Sequence, residues 1–395
     1  MRIGDTIYLD HQSTTPTDRR VLAEMAPYFD ERFGNPHSAD HALGWDSAKA
    51  VDEAAARVAR MVGADADEVV FTSGATEANN LAIFGLALGA SGGKRQRILV
   101  SAIEHKSVLA QARTLHDRLG YEIEIIPVDS SGVVNITTLE EAIDDNVLLV
   151  STMLVNNEIG SIQPIREIKH LCAAHGALLH CDGAQSPGAI DISDISEWVD
   201  LLSLSAHKMY GPKGLGALIV NRLVQGQLEP IIHGGGQQRH LRSGTVPTPL
   251  CVGMGVAAEI FASDSAATGR ENLCAIRDRF VEGVRKLGWS VHLNGPPRES
   301  RHPGNANIRF DGFSAHDILG ALQPRIAAST GSACTSGFPE PSHVLTAIGL
   351  SNSDSEASIR FSLGRHTTVE DVDIAVDLIG SVLARLPRTD IDFVA

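Results

Sequence analysis

Cysteine is sparse in this 395-residue chain: five residues, Cys172, Cys181, Cys251, Cys274 and Cys334, scattered and with no C-x-x-C pair. An odd, dispersed set argues against a disulfide framework or a structural zinc site, and leaves open whether one thiol is a nucleophile. Basic charge is also short. Lys and Arg total 33 against 48 Asp and Glu, a formal net charge of −15. That balance opposes a generic phosphate-backbone binder, so no direct nucleic-acid partner is expected. The densest basic run, Lys94-Arg95-Gln96-Arg97, reads as a solvated loop leading into a strand. No apolar run approaches the roughly 18 residues that cross a bilayer, and Met1–Asp5 carries no apolar leader, so a cytoplasmic protein without a membrane partner is expected. What remains is ordinary globular composition, 43% hydrophobic and 21% charged, at a length suited to about two to three domains.

Between about Val51 and Val220 helical and strand patterns alternate. Trp45, Ala48, Val51, Ala55, Val58 and Val62 recur at three- and four-residue steps, which predicts an amphipathic helix closed by Gly63. Short apolar runs predict strands at 69–71, 98–100, 122–126, 148–153, 177–180, 201–204 and 217–220, with helices near 76–88, 106–119, 139–143 and 165–175. Interleaving of this kind predicts parallel pairing with helices on both faces, and ligands at the strand carboxyl ends. After about Ser265 the pattern changes to a smaller α+β unit: helices near 271–287, 316–322 and 369–386, and strands near 291–293, 306–310 and 359–363. The expected division is a large α/β domain at 15–262, with 1–14 and 263–395 forming the small one.

The polar clusters fall at strand ends. Ser205-Ala206-His207-Lys208 ends one strand ahead of a Gly/Pro-rich turn, and reads either as a surface lysine in a polar turn or as a Schiff-base lysine. In the second reading Ser205 and His207 hydrogen-bond a cofactor phosphate. His180-Cys181-Asp182-Gly183-Ala184-Gln185 ends another strand. Asp182 there is either a helix cap or the partner of a protonated pyridine nitrogen, which makes pyridoxal phosphate an electron sink. One planar ring can touch both Asp182 and Lys208, and Gln185 can reach its hydroxyl. Ser73-Gly74-Ala75-Thr76-Glu77 joins strand to helix, so the amides of Ala75 and Thr76 form an anion site or, more plainly, the start of a capping box.

His105 follows a strand, where a structural role competes with stacking on a ring and shuttling protons. Asn157, in Val155-Asn156-Asn157-Glu158, is a turn former or a ligand of ring hydroxyl or substrate. Cys172, Cys251 and Cys274 have apolar or helical neighbours and read as inert, and Cys181 as packing. Cys334 differs. Small residues surround it in Gly331-Ser332-Ala333-Cys334-Thr335-Ser336-Gly337, and such a thiol needs a proton acceptor to act as a nucleophile. Arg360, in Ser358-Ile359-Arg360-Phe361-Ser362, is either a solvent-facing edge residue or a bidentate clamp for a carboxylate.

Read together, these stretches resemble the cysteine desulfurases of the NifS and IscS type, a branch of the class V aminotransferase-like pyridoxal phosphate enzymes. The resemblance runs from Tyr8-Leu9-Asp10 and Thr14-Thr15-Pro16 through Ala206-His207-Lys208 to Arg360-Phe361-Ser362-Leu363-Gly364-Arg365. One departure is His11-Gln12-Ser13, where many relatives carry a different short run. The resemblance implies fold type I. It also implies pyridoxal 5′-phosphate tethered by Lys208, His105 as stacking acid/base, Asp182 at the ring nitrogen, and Asn157 and Gln185 near the ring hydroxyl. Ala75, Thr76, Ser205 and His207 would hold the phosphate, joined in a homodimer by Thr245 of the second copy. Arg360 would bind the substrate carboxylate.

The expected reaction converts L-cysteine to L-alanine and leaves sulfur on Cys334 as a persulfide. An acceptor protein of iron–sulfur assembly, tRNA thiolation or DNA phosphorothioation would then take it. No resident metal is expected, with Cys334 the one candidate for transient iron–sulfur ligation. The rivals are a selenocysteine lyase or aminotransferase of the same fold and, from another class, an inactive scaffold subunit.

Overall fold

The computed structural model describes residues 1–90, 92–263, 265–331 and 341–388. In chain order its strands are β1 (Arg2–Ile3), β2 (Thr6–Tyr8), β3 (Val69–Thr72), β4 (Arg97–Ser101), β5 (Glu122–Ile126), β6 (Val147–Met153) and β7 (Leu178–Asp182). They continue with β8 (Leu201–Ser205), β9 (Gly216–Val220), β10 (Val291–Leu293), β11 (Asn305–Phe310), β12 (Ile326–Ala327) and β13 (Ser358–Ser362). Seven of them form one sheet in the order β3-β9-β8-β7-β6-β4-β5. Neighbours from β8 to β5 are parallel, whereas β9 runs antiparallel to both β3 and β8. The expectation of parallel pairing therefore fails at 217–220. Only the ten residues 206–215 separate β9 from β8, and a parallel return needs a crossover of a dozen residues or more.

Both faces of this sheet are buried, and side-chain alternation assigns each residue to a face. Val69, Phe71, Leu202 and Leu204 enter one core; Val70, Leu201, Leu218 and Val220 enter the other. The helix Ala42–Val62 covers the first face. It is capped by the His41 ring, which accepts from Gly44 N–H at 3.1 Å, and closed by Gly63 at φ +76°. The helix Thr248–Phe261 packs beside it and carries no charge before Glu259, so its near-uniform apolarity gives no helical period to read.

A separate core joins Ile7 and Leu9 to residues between Leu273 and Leu383. It lies against the antiparallel sheet β10-β11-β13 and the small sheet β1-β2-β12. Two readings fail here. Arg95 donates to the carbonyls of Val147 and His175, at 2.6 and 2.9 Å, and Arg97 pairs with Glu124 and Asp144, so the basic run staples β4 to its surroundings. Cys274, expected among the inert buried thiols, is only partly buried.

Because β9 reverses direction, β3, β4, β6, β7 and β8 all point their carboxyl ends to one sheet edge. Every strand-end cluster singled out in the large α/β portion follows one of these five strands.

Candidate active site

A cavity of about 750 Å³ opens at that edge. Ala75, Thr76, His105, Asn157, Asp182, Gln185, Ser205, His207, Lys208 and Arg360 all line it, so the structure brings together ten residues drawn from distant parts of the sequence. Thr245 is exposed and is not among the lining residues of this chain. Cys334 lies outside the described residues, but the positions bracketing its segment, Gly331 and His343, line the same cavity.

Lys208 sits in a single 3-10 turn directly after β8. Its Nζ donates to the carbonyls of Gln12 at 2.5 Å and Ser13 at 2.7 Å. Burial, with Arg360 as a nearby cation, brings its pKa down to about 8, against opposing pulls from Asp10 and Asp182. The amine is thus held by neutral carbonyls, not by a carboxylate that would keep it charged.

Asp182 closes β7 and is 5% exposed. Its Oδ1 accepts from Ala184 N–H at 3.0 Å and its Oδ2 from Asn79 Nδ2 at 2.8 Å. Asn79 comes from the helix Ala75–Gly89, on the turn behind the amides of Ala75 and Thr76, and sequence reading passed over it. Beneath Asp182 on the same strand, His180 is fully buried between Ser151 Oγ (2.8 Å) and Ser203 Oγ (3.1 Å). Burial lowers its pKa to about 4, so a neutral ring links β6, β7 and β8.

Glu104 is the other residue missed. It is fully buried, Oε1 accepts from Met153 N–H at 2.5 Å, and Oε2 has no partner. Burial and the nearby Asp182 push its pKa well above the ordinary value, which favours the protonated acid. Its only sequence signal was its place beside His105.

His105 caps the helix Lys106–Leu119: its Nδ1 accepts from Ser107 N–H at 3.1 Å. That contact assigns the ring proton of the neutral form to Nε2. The ring is reachable from the cavity yet closely walled by protein, and the desolvation holds its pKa below 6.5. His207 places Nδ1 3.0 Å from Thr14 Oγ1, and burial lowers its pKa to about 4.

The capping-box reading of residues 73–77 is not realised. Gly74 is the cap residue and contributes no side chain; Glu77 Oε2 instead accepts from Ser73 N–H at 2.8 Å, and Arg242 binds the same carboxylate. The first amides of Ala75–Gly89 have no acceptor within their own helix and face the cavity. Gly74 has φ +151°, and a Cβ added there would meet no protein atom within 4 Å. An anion therefore finds helix amides, the Ser205 hydroxyl and His207 in one place.

Arg360 contradicts the solvent-facing reading. It is 3% exposed on β13, which pairs with β11, and Nη2 reaches Asp10 at 2.6 Å and Ser329 Oγ at 2.9 Å. Nη1 donates to Asn157 O at 2.9 Å, whereas Nε is buried without a partner. A guanidinium with one buried N–H unsatisfied is suited to a further anionic acceptor.

This donor set fits pyridoxal 5′-phosphate: a neutral-prone amine, a buried carboxylate opposite it, and an anion cradle at a helix start. The class V aminotransferase family model matches residues 7–374. The cysteine desulfurase IscS of Rickettsia akari is 46% identical over 383 residues, covering 97% of this chain and 92% of the relative. The chain is a member of the cysteine desulfurase branch of the class V aminotransferases. Among solved structures, a NifS-like protein superposes with a TM-score of 0.89 at 34% identity, covering 96% of this chain and 100% of that one. SspA in complex with cysteine gives 0.80 at 37%, covering 92% and 100%. Cysteine desulfurases of this family are pyridoxal-phosphate enzymes of fold type I, and the mixed seven-stranded sheet with helices on both faces is that fold.

Proposed function

We propose that the chain converts L-cysteine to L-alanine and passes the sulfur through Cys334 to an acceptor protein. The observation that carries this reading is the cavity itself. It holds an amine with a pKa near 8, a buried carboxylate and a carboxylate-binding arginine, and both described flanks of the Cys334 segment line it. The 46% identical relative named as a cysteine desulfurase and the similar structure solved with cysteine support the choice of substrate.

Bound pyridoxal phosphate would supply the electron sink that lets the substrate Cα proton leave. Asp182 would hold the proton on its ring nitrogen, and Ala75, Thr76, Ser205 and His207 its phosphate. Asn157 and Gln185 would reach its hydroxyl, and His105 would lie on its face. Lys208, neutral in a fair fraction at neutral pH, takes the Cα proton. Arg360 fixes the substrate carboxylate through its free Nε–H. The Cys334 thiolate then attacks the substrate sulfur. The C–S bond breaks toward carbon, which takes a proton and becomes the alanine methyl group, while the new S–S bond leaves Cys334 as a persulfide. Atoms and electrons balance with no outside oxidant.

Thr245, exposed on this chain, is assigned to the phosphate of a second copy in a homodimer. The separation of cores at either end of residues 15–262 supports taking that span as the cofactor-bearing domain.

The test is to incubate the purified protein with cysteine. Alanine and sulfide should appear, with a gain of about 32 Da on the Cys334 peptide from one added sulfur. Cys334→Ser should abolish cysteine turnover. Undiminished sulfide release by that variant would return the chain to the lyase or aminotransferase reading, and absence of a cofactor absorbance band would return it to a scaffold.

A further inference from the structure

A second cavity, of about 350 Å³, lies behind the Lys208 turn and shares Gln12, Gln185 and Lys208 with the first. Its remaining wall belongs to residues that the desulfurase reading does not use. In a chain of net charge −15, this wall contains Arg20, Arg270 and Arg365 and, among the described residues, no carboxylate. Asp18, just outside, is shared between two of these guanidiniums: it pairs with Arg20 at 2.9 Å and also with Arg365. Arg270 makes no hydrogen bond or ion pair among the described residues. The nearby Asp191 takes its hydrogen bond from Ser193 N–H instead, at 3.0 Å. The positive charge is therefore only partly compensated.

Part of the remaining wall is apolar, beside the polar Thr15, Ser263, Ser265, His302 and His366. Ile260, Phe261, Leu273 and Leu363 line it with Tyr210, whose ring lies under the Arg365 guanidinium at 4.0 Å. His11 adds a second signal. It is 5% exposed, both of its ring nitrogens lack hydrogen-bond partners, and it lies in this wall and not in that of the larger cavity. Burial holds its pKa near 3, so the imidazole in this wall is neutral. This is the residue that begins the His11-Gln12-Ser13 departure.

We propose that this cavity is a second binding site, for a small organic anion whose apolar body packs on Phe261 and Leu273 and whose carboxylate pairs with Arg270. Size supports a compact ligand, since pockets of this order enclose most of a small molecule's surface. Guanidinium groups with few competing acceptors supply the charge selectivity.

The experiment titrates the cofactor-loaded protein with 2-naphthoate by calorimetry, beside naphthalene-2-carboxamide as its neutral counterpart. One naphthoate per chain should bind, at least about tenfold more tightly than the amide. Gly269→Phe should close the site. Gly269 lies in its wall, on the helix Ser265–Arg285, and a Cβ there meets nothing within 4 Å, so the new side chain starts in open space. Arg270→Gln should weaken naphthoate by about tenfold and leave the amide unchanged. Arg360→Gln should leave naphthoate affinity unchanged, which separates this site from the cysteine cavity. Equal binding of amide and acid, or affinity indifferent to both Gly269→Phe and Arg270→Gln, would overturn the proposal. So would affinity lost in Arg360→Gln, or no binding up to about 10 mM, weaker than any useful small-ligand affinity. Cysteine turnover, read without naphthoate, tests the desulfurase reading independently.

Discussion

Lys208 should titrate apart from every exposed lysine in the cofactor-free protein. The perturbation is pH, followed by removal of Arg360. Moving an amine from 10.5 to about 8 corresponds to about 3 kcal/mol of preference for the neutral form, supplied chiefly by burial and then by Arg360. At about pH 7.5 the neutral fraction becomes roughly one quarter instead of roughly one thousandth, an increase of about 240-fold in the nucleophilic species. Competitive acetylation with acetic anhydride, read peptide by peptide against the exposed Lys49, measures this directly. The Lys208 peptide should gain reactivity up to a midpoint near pH 8 and then level off. Arg360→Gln removes a cation from beside the amine and frees Asp10 from its 2.6 Å pairing, and both changes favour the ammonium form. Its midpoint must move upward. A wild-type midpoint at the ordinary lysine value, or no upward movement in Arg360→Gln, would refute the electrostatic account of the site.

Glu104→Gln should cost less than about 1 kcal/mol at neutral pH, because burial favours the uncharged form of the native side chain and one of its oxygens has no partner. The sign of its pH effect follows. The folded protein retains a proton that the unfolded chain releases above 4.5, so wild-type stability falls as pH rises through that range. Urea unfolding at about pH 5 and pH 8 should show that fall reduced in Glu104→Gln, and parallel slopes would contradict it. Glu158 is 4% exposed, accepts from Ser342 Oγ at 2.6 Å, and lies against Gly331, so one carboxylate touches both flanks of the Cys334 segment. Glu158→Ala should cost about 1–3 kcal/mol and raise hydrogen exchange at residues 343–346, with lower persulfide yield on Cys334. Unchanged exchange there would mean that Glu158 does not hold these flanks.

Most of the sheet was legible because its strands are short apolar runs between helices of clear period, as with Ile165–His175, where the expected and observed bounds coincide. The direction of β9 was not legible, since Gly216–Val220 is as apolar as the parallel strands of the sheet and only the brevity of the connection before it carries the information. The clusters around Lys208, Asp182, His105 and Gly74 stood out because hydroxyl, imidazole and amine groups at buried strand ends are costly without a task. Asn79 and Glu104 did not stand out. Each looks like an ordinary polar residue until the fold buries it against Asp182. Arg360 remained ambiguous for a similar reason, because the strand pattern around it does not reveal the Asp10 that receives it.

That Asp10 belongs to a segment that sets the geometry of the whole site. Residues 10–15 leave the small β2 strand and run along Ser362, which accepts Gln12 N–H on its Oγ at 2.9 Å. Asp10 takes Arg360, the carbonyls of Gln12 and Ser13 take Lys208, and Gln12 O also takes Gln185 Nε2 at 2.8 Å. Thr14 meets the His207 ring, and Thr15 N–H donates to His207 O at 3.0 Å. The arginine that would bind the substrate carboxylate comes from the small antiparallel sheet, and the lysine that would move its proton comes from the large one. Arg360 itself reaches the loop after β6 through Asn157 O, and six residues of irregular chain tie the two sheets further, holding Arg360 by the Asp10 carboxylate and Lys208 by the backbone carbonyls of Gln12 and Ser13. Relative movement of the two cores must therefore be absorbed outside 10–15, or it will change the spacing of Arg360 and Lys208 and with it the alignment of substrate and base.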